Sequence, residues 1–232
     1  MLKRPNTLYC FSPWAMIATC VIELVLAVYA LVRYKMTPAV RLAATMLGLL
    51  AIFQLAEYNV CGHSNLRALV WSRLGYVAIT LLPPLALHLV HIIAKQKSRL
   101  LVYLAYGMGL GFAIIFGLSS RAFASHICAG NYAIFQLIRP LGGLYFAYYY
   151  TWLLVGIAAS LIFSIGAARR VSEALVLQVF GYLSFLLPTG IVNALDPRTI
   201  AGIPSVMCGF AVIYALILAF GIMPRVSSVA KR

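Results

Sequence analysis

The chain has 232 residues, of which 64% are hydrophobic and only 9% are charged. That composition excludes an ordinary soluble domain, whose surface needs far more charged side chains. The formal net charge of +14 arises from 18 Lys and Arg against four acidic residues. Because the cations form short clusters between apolar runs, they indicate membrane topology and contact with anionic membrane lipids, and they do not indicate nucleic acid binding.

Seven apolar segments are long enough to cross a bilayer as helices. No soluble domain remains between them, so we predict one transmembrane domain over residues 1–232. The fold class is an all-α membrane protein, a seven-transmembrane helix bundle. The first segment is too long for a cleaved signal peptide, and we expect it to be retained. The predicted spans are 11–33, 40–58, 73–94, 100–119, 138–166, 174–194 and 202–223.

Basic residues are distributed unevenly over the two ends of these spans. Eleven of the 18 Lys and Arg follow the first, third, fifth or seventh span, and seven lie at the opposite ends. By the positive-inside rule, this bias predicts that the N-terminus lies outside and the C-terminus lies in the cytoplasm. Lys3 and Arg4 favour the opposite orientation.

The second and third spans carry a set of short motifs in the stretch "LLAIFQLAEYNVCGHSNLRALVWSRLGYVAITLLPPLALHLV". An acidic residue closes one span, a Trp-x-Arg segment opens the next, and prolines follow in mid-span. This pattern resembles the seven-transmembrane sensor region at the N-terminus of many bacterial histidine kinases. The residues that carry the resemblance are Glu57, Trp71, Arg73, Tyr76, Pro83, Pro84 and His88.

This resemblance implies a sensor or receptor in the bacterial inner (plasma) membrane. Such a module binds a ligand or partner at its outer face and relays the signal to a cytoplasmic effector. No kinase domain follows the seven spans in this sequence, so we expect a separate cytoplasmic or membrane effector, or a truncated receptor. The alternative is a non-catalytic accessory subunit of a larger membrane complex. A metal-handling or channel-like protein is a weaker third possibility.

Two predicted outer loops each contain a Cys and a His with one residue between them. The loops are "NVCGHSN" and "FASHICAG", which contain Cys61, His63, His126 and Cys128. Thiols outside the cytoplasm can oxidise, which favours a Cys61–Cys128 disulfide. A zinc or copper site built from all four side chains is a weak alternative, since Cys-x-His is tighter than usual ligand spacing. Free thiols are a third possibility, and Cys10 is a further outer thiol.

Glu23 lies near the middle of the first span, where an ionised carboxylate is costly and needs an interior partner. His88 in the third span is the predicted partner. The pair is interpreted either as a fixed interhelical hydrogen bond or as a proton- or ligand-responsive switch.

Aromatic residues at helical spacing open the fifth span, and prolines interrupt three spans. The stripe of Tyr145, Tyr148, Tyr149 and Trp152 favours an interfacial belt. If the stripe faces inward, it lines an outer pocket together with Glu57, Trp71 and Arg73. We expect the prolines to bend their helices and to act as candidate hinges; they are Pro83, Pro84, Pro188 and Pro204.

No catalytic constellation is recognisable in the sequence. A retinal Schiff base needs a lysine in the last span, and that span has none. Glycine-rich phosphate loops with a lysine and helical zinc-protease motifs do not occur either. We therefore expect no enzymatic activity and no cofactor.

Overall fold

The computed structural model describes residues 13–63, 68–128 and 133–229. Most of these residues are helical. The helices are α1 (Pro13–Arg33), α2 (Pro38–Tyr58), α3 (Ala68–Thr80), α4 (Leu82–Ile93), α5 (Leu100–Leu118), α6 (Arg139–Ser164), α7 (Arg169–Leu195), α8 (Ile203–Leu216) and α9 (Met223–Val229).

Seven helical segments in the described part of the chain are long and apolar enough to cross a membrane. Each coincides with one of the predicted spans, so the prediction of a seven-span helical bundle is confirmed. The third span consists of α3 and α4, and the seventh contains α8 and α9. Several helices extend a few residues beyond their apolar runs. The reason is that the helical backbone hydrogen bonds continue into segments whose side chains are polar. For example, α7 begins at Arg169, whereas its apolar run begins at residue 174.

The second, third and seventh spans form the interior of the bundle. The most apolar windows of these spans are 61%, 72% and 61% buried, whereas the other four spans bury less than half of theirs. α2 packs against α1, α3, α4 and α8. The exposed faces of the peripheral helices are apolar, as on Leu154 in α6 and Leu110 in α5. Such faces are suited to lipid tails.

Small side chains allow α1 and α2 to approach closely along most of their lengths. Ala27 and Ala30 of α1 are buried, as are Ala39 and Ala43 of α2. Small residues at three- or four-residue spacing lie on one helix face, and such faces are typical of close helix contacts in membranes, where packing replaces the hydrophobic driving force. This packing covers one side of α1, and the opposite side remains exposed.

The third span breaks at Leu81, between α3 and α4. Pro83 and Pro84 lack an amide N–H, so the carbonyl groups one turn earlier lose their helical donors. Leu81 instead donates to Ala78 in a tighter turn, with an N–O distance of 3.3 Å. The predicted interruption at the two prolines is therefore present.

The other two prolines occupy different positions in their helices. Pro188 lies inside α7, which continues through it to Leu195. Pro204 is at the start of α8, where a missing N–H costs nothing. The irregularity in the seventh span is a π-helical turn at Ile217–Ile222. Neither proline breaks its helix as Pro83 and Pro84 do.

A small antiparallel hairpin adds two strands to the predicted all-α fold. Strands β1 (Phe123–Cys128) and β2 (Ala133–Leu137) pair Phe123 with Leu137 and Cys128 with Ala133. β1 contacts the π-helical turn Asn59–His63, and β2 contacts the 3-10 turn Pro197–Gly202. The three loops predicted to lie on the outer side therefore meet at one end of the bundle.

Candidate functional site

The aromatic stripe of α6 faces the interior of the bundle. Tyr145, Tyr148, Tyr149 and Trp152 are all buried, and Tyr145 is only 1% exposed. The interpretation of this stripe as an interfacial belt is therefore wrong. The spacing does place the four rings on one helical face, but Leu144 and Leu154 occupy the opposite, exposed face. The aromatic face packs inward because the aliphatic face meets lipid.

Tyr145 is at the centre of an aromatic cluster between α3, α5 and α6. Its ring centroid lies 5.0 Å from that of Phe116 and 5.6 Å from that of Tyr76. Phe112 packs edge-on against Tyr145 at 5.5 Å. The hydroxyl of Thr80 donates to the Tyr145 oxygen at 3.3 Å. Geometries of this kind add stability beyond the area that the rings bury.

An apolar cleft lies between α6 and α8. Its walls include Tyr145 and Tyr149 of α6 and Pro204, Met207 and Cys208 of α8. Tyr149, Met207 and Cys208 also line a second cavity deeper in the bundle, which α2, α4 and α7 complete. The cleft and the cavity thus adjoin, and we call them together the central cleft.

The inner cavity of the central cleft has a volume of about 30 Å³. That volume holds one or two water molecules, whereas pockets for small organic ligands measure about 300–1,000 Å³. A larger molecule could enter only if α6 and α8 moved apart.

Two tyrosines stack at the α7 side of the central cleft. The rings of Tyr182 and Tyr214 lie nearly parallel with centroids 6.0 Å apart, and Gln178 donates its amide to the Tyr214 hydroxyl. Gly156 faces the Tyr182 hydroxyl and Gly181 faces the Tyr214 ring, so a Cβ at either glycine would collide with the stack. No sequence motif predicts this group, because the glycines that face the two tyrosines lie on neighbouring helices.

The structure brings Glu23 and Glu57 together at the junction of α1, α2 and α8. Glu23 is 0% exposed and Glu57 is 1% exposed, and the two carboxyl groups are close enough to interact electrostatically. Ser205 at the start of α8 hydrogen-bonds to Glu57. Both oxygens of Glu23 and one of Glu57 have no hydrogen-bond partner among the described residues. We call this group the carboxyl pair.

The predicted hydrogen bond between Glu23 and His88 is not formed. His88 lies on α4 and faces α5, where its Nδ1 is 3.2 Å from the Tyr106 hydroxyl oxygen. The error came from matching depth alone, because α1 packs on α2 and α8, whereas α4, which contains His88, packs on α2, α5 and α6. The acidic residue that does lie close to Glu23 is Glu57, at the end of the second span.

The remaining members of the predicted outer pocket do not line the central cleft. Tyr148 is buried against α5, and Trp71 and Arg73 lie partly buried on α3. The buried Nε atom of Arg73 and the indole nitrogen of Trp152 have no partner in the described part of the chain. Of the seven residues predicted for this pocket, Tyr145 and Tyr149 line the central cleft.

The loop cysteines are described only in part. Cys61 is disulfide-bonded, whereas Cys20 and Cys208 are free thiols inside the bundle. The side chains of His63, His126 and Cys128, and the whole of Cys10, lie outside the described residues. Among the residues that are described, no group of three His, Cys, Asp or Glu could hold a metal ion. The pairing of Cys61 with Cys128 and the four-ligand metal site both remain predictions.

No protein-family model matches the chain, and no curated protein matches it. The resemblance to the sensor region of histidine kinases therefore rests on short sequence motifs in the second, third, sixth and seventh spans. The positions of those motif residues are now known: Tyr76 is in the aromatic cluster, Glu57 is in the carboxyl pair, and Pro83 and Pro84 follow the break at Leu81.

Proposed function

We propose that this chain is a seven-helix membrane receptor or sensor module whose ligand enters the central cleft. The observation that carries the proposal is the position of Tyr149, Met207 and Cys208, which line both the cleft between α6 and α8 and the inner cavity. A ligand that separates these helices changes the positions of their ends. Differential affinity for the open and closed forms would then shift the population between them.

The break at Leu81 and the π-helical turn at Ile217–Ile222 support this proposal. Each lies in one of the interior spans, and each interrupts the regular helical ladder. Irregular turns of this kind allow a helix to bend without unfolding. Movement at the central cleft can therefore reach the end of the bundle that contains α9 and the end of α4.

The proposed setting is a bacterial inner membrane with the N-terminus outside. The three predicted outer loops meet at one end of the bundle, and the assignment of that end to the outer side rests on the positive-inside rule. A disulfide between Cys61 and Cys128 would join two of these loops, and β1 does contact the π-helical turn that contains Cys61. The proposed partner is a separate effector on the cytoplasmic side, and the chain itself has no proposed catalytic role.

The test uses indole and decanoic acid as aromatic and aliphatic probes. Purified protein is heated with each probe in neutral detergent, and we expect at least one probe to raise the unfolding temperature. The variant Ala211→Phe fills the inner cavity, which Ala211 lines, and should abolish the rise. Ile213→Phe, at an exposed position of α8, is the matched control and should keep it. An equal rise in all three proteins, or none in the wild type, contradicts the proposal.

An accessory subunit of a larger membrane complex is the second candidate. The small volume of the inner cavity favours it, because a structural subunit needs neither a preformed pocket nor a transport path. Affinity purification from native membranes distinguishes the two. A structural subunit copurifies with large partners in fixed stoichiometry, whereas a receptor is stabilised by a small molecule in the absence of partners.

A further inference from the structure

A basic cavity of about 60 Å³ lies at the end of the bundle opposite the hairpin. It is formed where α4 ends, α7 begins and α9 follows the π-helical turn. Lys95, Arg170 and Arg225 line it, and its apolar floor includes Ile93 and Val226. The volume corresponds to roughly two to four water molecules, which is enough space for a compact anionic group.

The backbone of the α4 terminus fixes the position of Lys95. Lys95 has a φ of +52°, in the left-handed region where glycine is usual. The amide of Gln96 donates to His91 at 3.0 Å, and that of Lys95 donates to Ile92 at 3.1 Å, which closes the end of α4. A β-carbon is disfavoured in this conformation, so glycine would suit this position better than lysine if the turn were the residue's only role.

Arg225 is held in place by two contacts. Its Nε lies 3.1 Å from a Glu173 oxygen, and its Nη1 donates to the carbonyl of Gly221 at 2.8 Å. Glu173 also binds Arg169, at 3.0 Å. This carboxylate is thus shared between two guanidinium groups, and it does not line the cavity. The cavity lining therefore includes three cations, and one of them, Arg225, also contacts this carboxylate beside the cavity.

The N-terminus of α7 adds a further favourable potential for an anion. Arg170 and Val171 of its first turn line the cavity, and the capping residue is Ala168, whose side chain cannot accept a hydrogen bond. First-turn amides and the helix dipole attract negative charge. Because α7 is 27 residues long, it carries the full dipole effect at this end.

We propose that this cavity binds a phosphate group, from an anionic phospholipid headgroup or from a soluble phosphate. Three cations on three different elements and an uncapped helix start surround one small space with an apolar floor. The ends of the third, sixth and seventh spans place that space where headgroups lie. The site is independent of the central cleft, so the proposed receptor function and this proposal can fail separately.

The test compares protein in phosphatidylcholine nanodiscs with protein in nanodiscs that also contain phosphatidylglycerol. Saturating occupancy should raise the unfolding temperature by about 5 °C. Lys95→Gln and Arg170→Gln should each lose more than half of that rise. The matched controls are Lys97→Gln and Arg99→Gln, which remove the same charge from exposed positions of the adjoining loop. A parallel arm adds sodium phosphate to phosphatidylcholine nanodiscs, with sodium chloride at equal ionic strength as its reference.

A rise with phosphatidylglycerol that the cavity variants lose and the loop variants keep supports a lipid headgroup as the source. The same pattern with inorganic phosphate supports a soluble ligand. An equal loss in all four variants would show only diffuse attraction to a charged surface, and it would overturn the proposal. The absence of any rise in both arms would overturn it too. If Lys95→Gln disturbs the end of α4, Arg170→Gln still decides the outcome.

Discussion

The hydroxyl of Tyr148 in α6 donates a hydrogen bond to the backbone carbonyl of Thr80 in the third span, at 2.8 Å. In a regular helix this carbonyl would accept from the residue four positions later, which is Pro84 and has no N–H. Tyr148 therefore replaces the donor that Pro84 removes. The contact joins α6 to the break between α3 and α4 and makes that break stable in an apolar environment.

Tyr148→Phe should destabilise the protein by about 1–3 kcal/mol, because it leaves the buried Thr80 carbonyl without a donor. Unfolding of the purified protein by denaturant in mixed micelles measures the change. Tyr103→Phe, in which the altered hydroxyl belongs to an exposed residue of α5, is the control and should change nothing measurable. Equal stability of Tyr148→Phe and the wild type would show that another group satisfies the carbonyl.

Gly109→Ala should weaken the same contact from the side of α5. A Cβ at Gly109 would lie 2.7 Å from the Tyr148 oxygen, so the hydroxyl must move away from Thr80. Gly107→Ala and Gly111→Ala, whose Cβ atoms would meet nothing within 4 Å, are matched controls. These two changes should be neutral or should stabilise α5 by up to about 1 kcal/mol, since alanine is the better helix former.

The double variant Tyr148→Phe/Gly109→Ala gives a sharper test of this geometry. Removing the hydroxyl removes the atom that the new methyl group would meet. Gly109→Ala should therefore cost less in the Tyr148→Phe background than in the wild type, and the double-mutant cycle should show a coupling of about 1 kcal/mol. Strict additivity would contradict a direct contact between the two positions.

The seven spans could be predicted from the sequence because each is a long apolar run. A single segment that crosses a bilayer must satisfy its own backbone hydrogen bonds, and a helix does this. The sequence was also sufficient for the break before Pro83 and Pro84, which follows from the missing amide hydrogens. Bundle packing was not predictable in the same way. Which face of a helix meets lipid depends on neighbours far away in the chain, and the α6 tyrosines show this.

Helix neighbours also explain the error over Glu23. Depth in the membrane made His88 a reasonable partner, but depth does not say which helices touch. The contacts of α1 with α2 and α8 place Glu57 beside Glu23 instead. Two intramembrane acidic residues in consecutive spans were the available signal, since buried carboxyl groups in membranes tend to collect in the bundle interior.

Glu23→Gln should leave the stability of the protein unchanged or increase it. Both oxygens of Glu23 lack a partner among the described residues, so the change removes no hydrogen bond that the structure shows. It also removes like-charge repulsion with Glu57 whenever both groups are ionised. Thermal unfolding at neutral pH measures the effect. A loss of more than about 2 kcal/mol would reveal an essential charged partner.

Glu57→Gln is the comparison within the same carboxyl pair, and we expect it to be the more costly change. Ser205 hydrogen-bonds to Glu57, and a buried Gln amide has two donor hydrogens to satisfy where a carboxyl group has at most one. The expected loss is about 1 kcal/mol. If Glu23→Gln proves the more damaging of the two changes, the assignment of the better-supported carboxyl group is wrong.

Cys61→Ser and Cys128→Ser should lower the unfolding temperature equally, and the double variant should be no worse than either. A bridge between them closes a loop long enough that the chain-entropy model predicts roughly 4 kcal/mol of stabilisation. Cys10→Ser is the control, because Cys10 is the other predicted outer thiol. If Cys10→Ser matches Cys61→Ser while Cys128→Ser has no effect, the partner of Cys61 is Cys10.

The orientation of the bundle can be tested with single cysteines placed at its two ends. Arg198→Cys lies in the turn before α8, at the end of the bundle where the hairpin contacts that turn, and Lys97→Cys lies in the exposed loop before α5. Both are introduced into a background with Cys10, Cys61 and Cys128 changed to serine.

The positive-inside rule predicts that, in intact cells, a membrane-impermeant maleimide labels the cysteine at 198 and not the one at 97. Permeabilised cells, in which both positions should react, control for access. Labelling of the cysteine at 97 alone in intact cells would invert the topology, and it would move the basic cavity to the outer face.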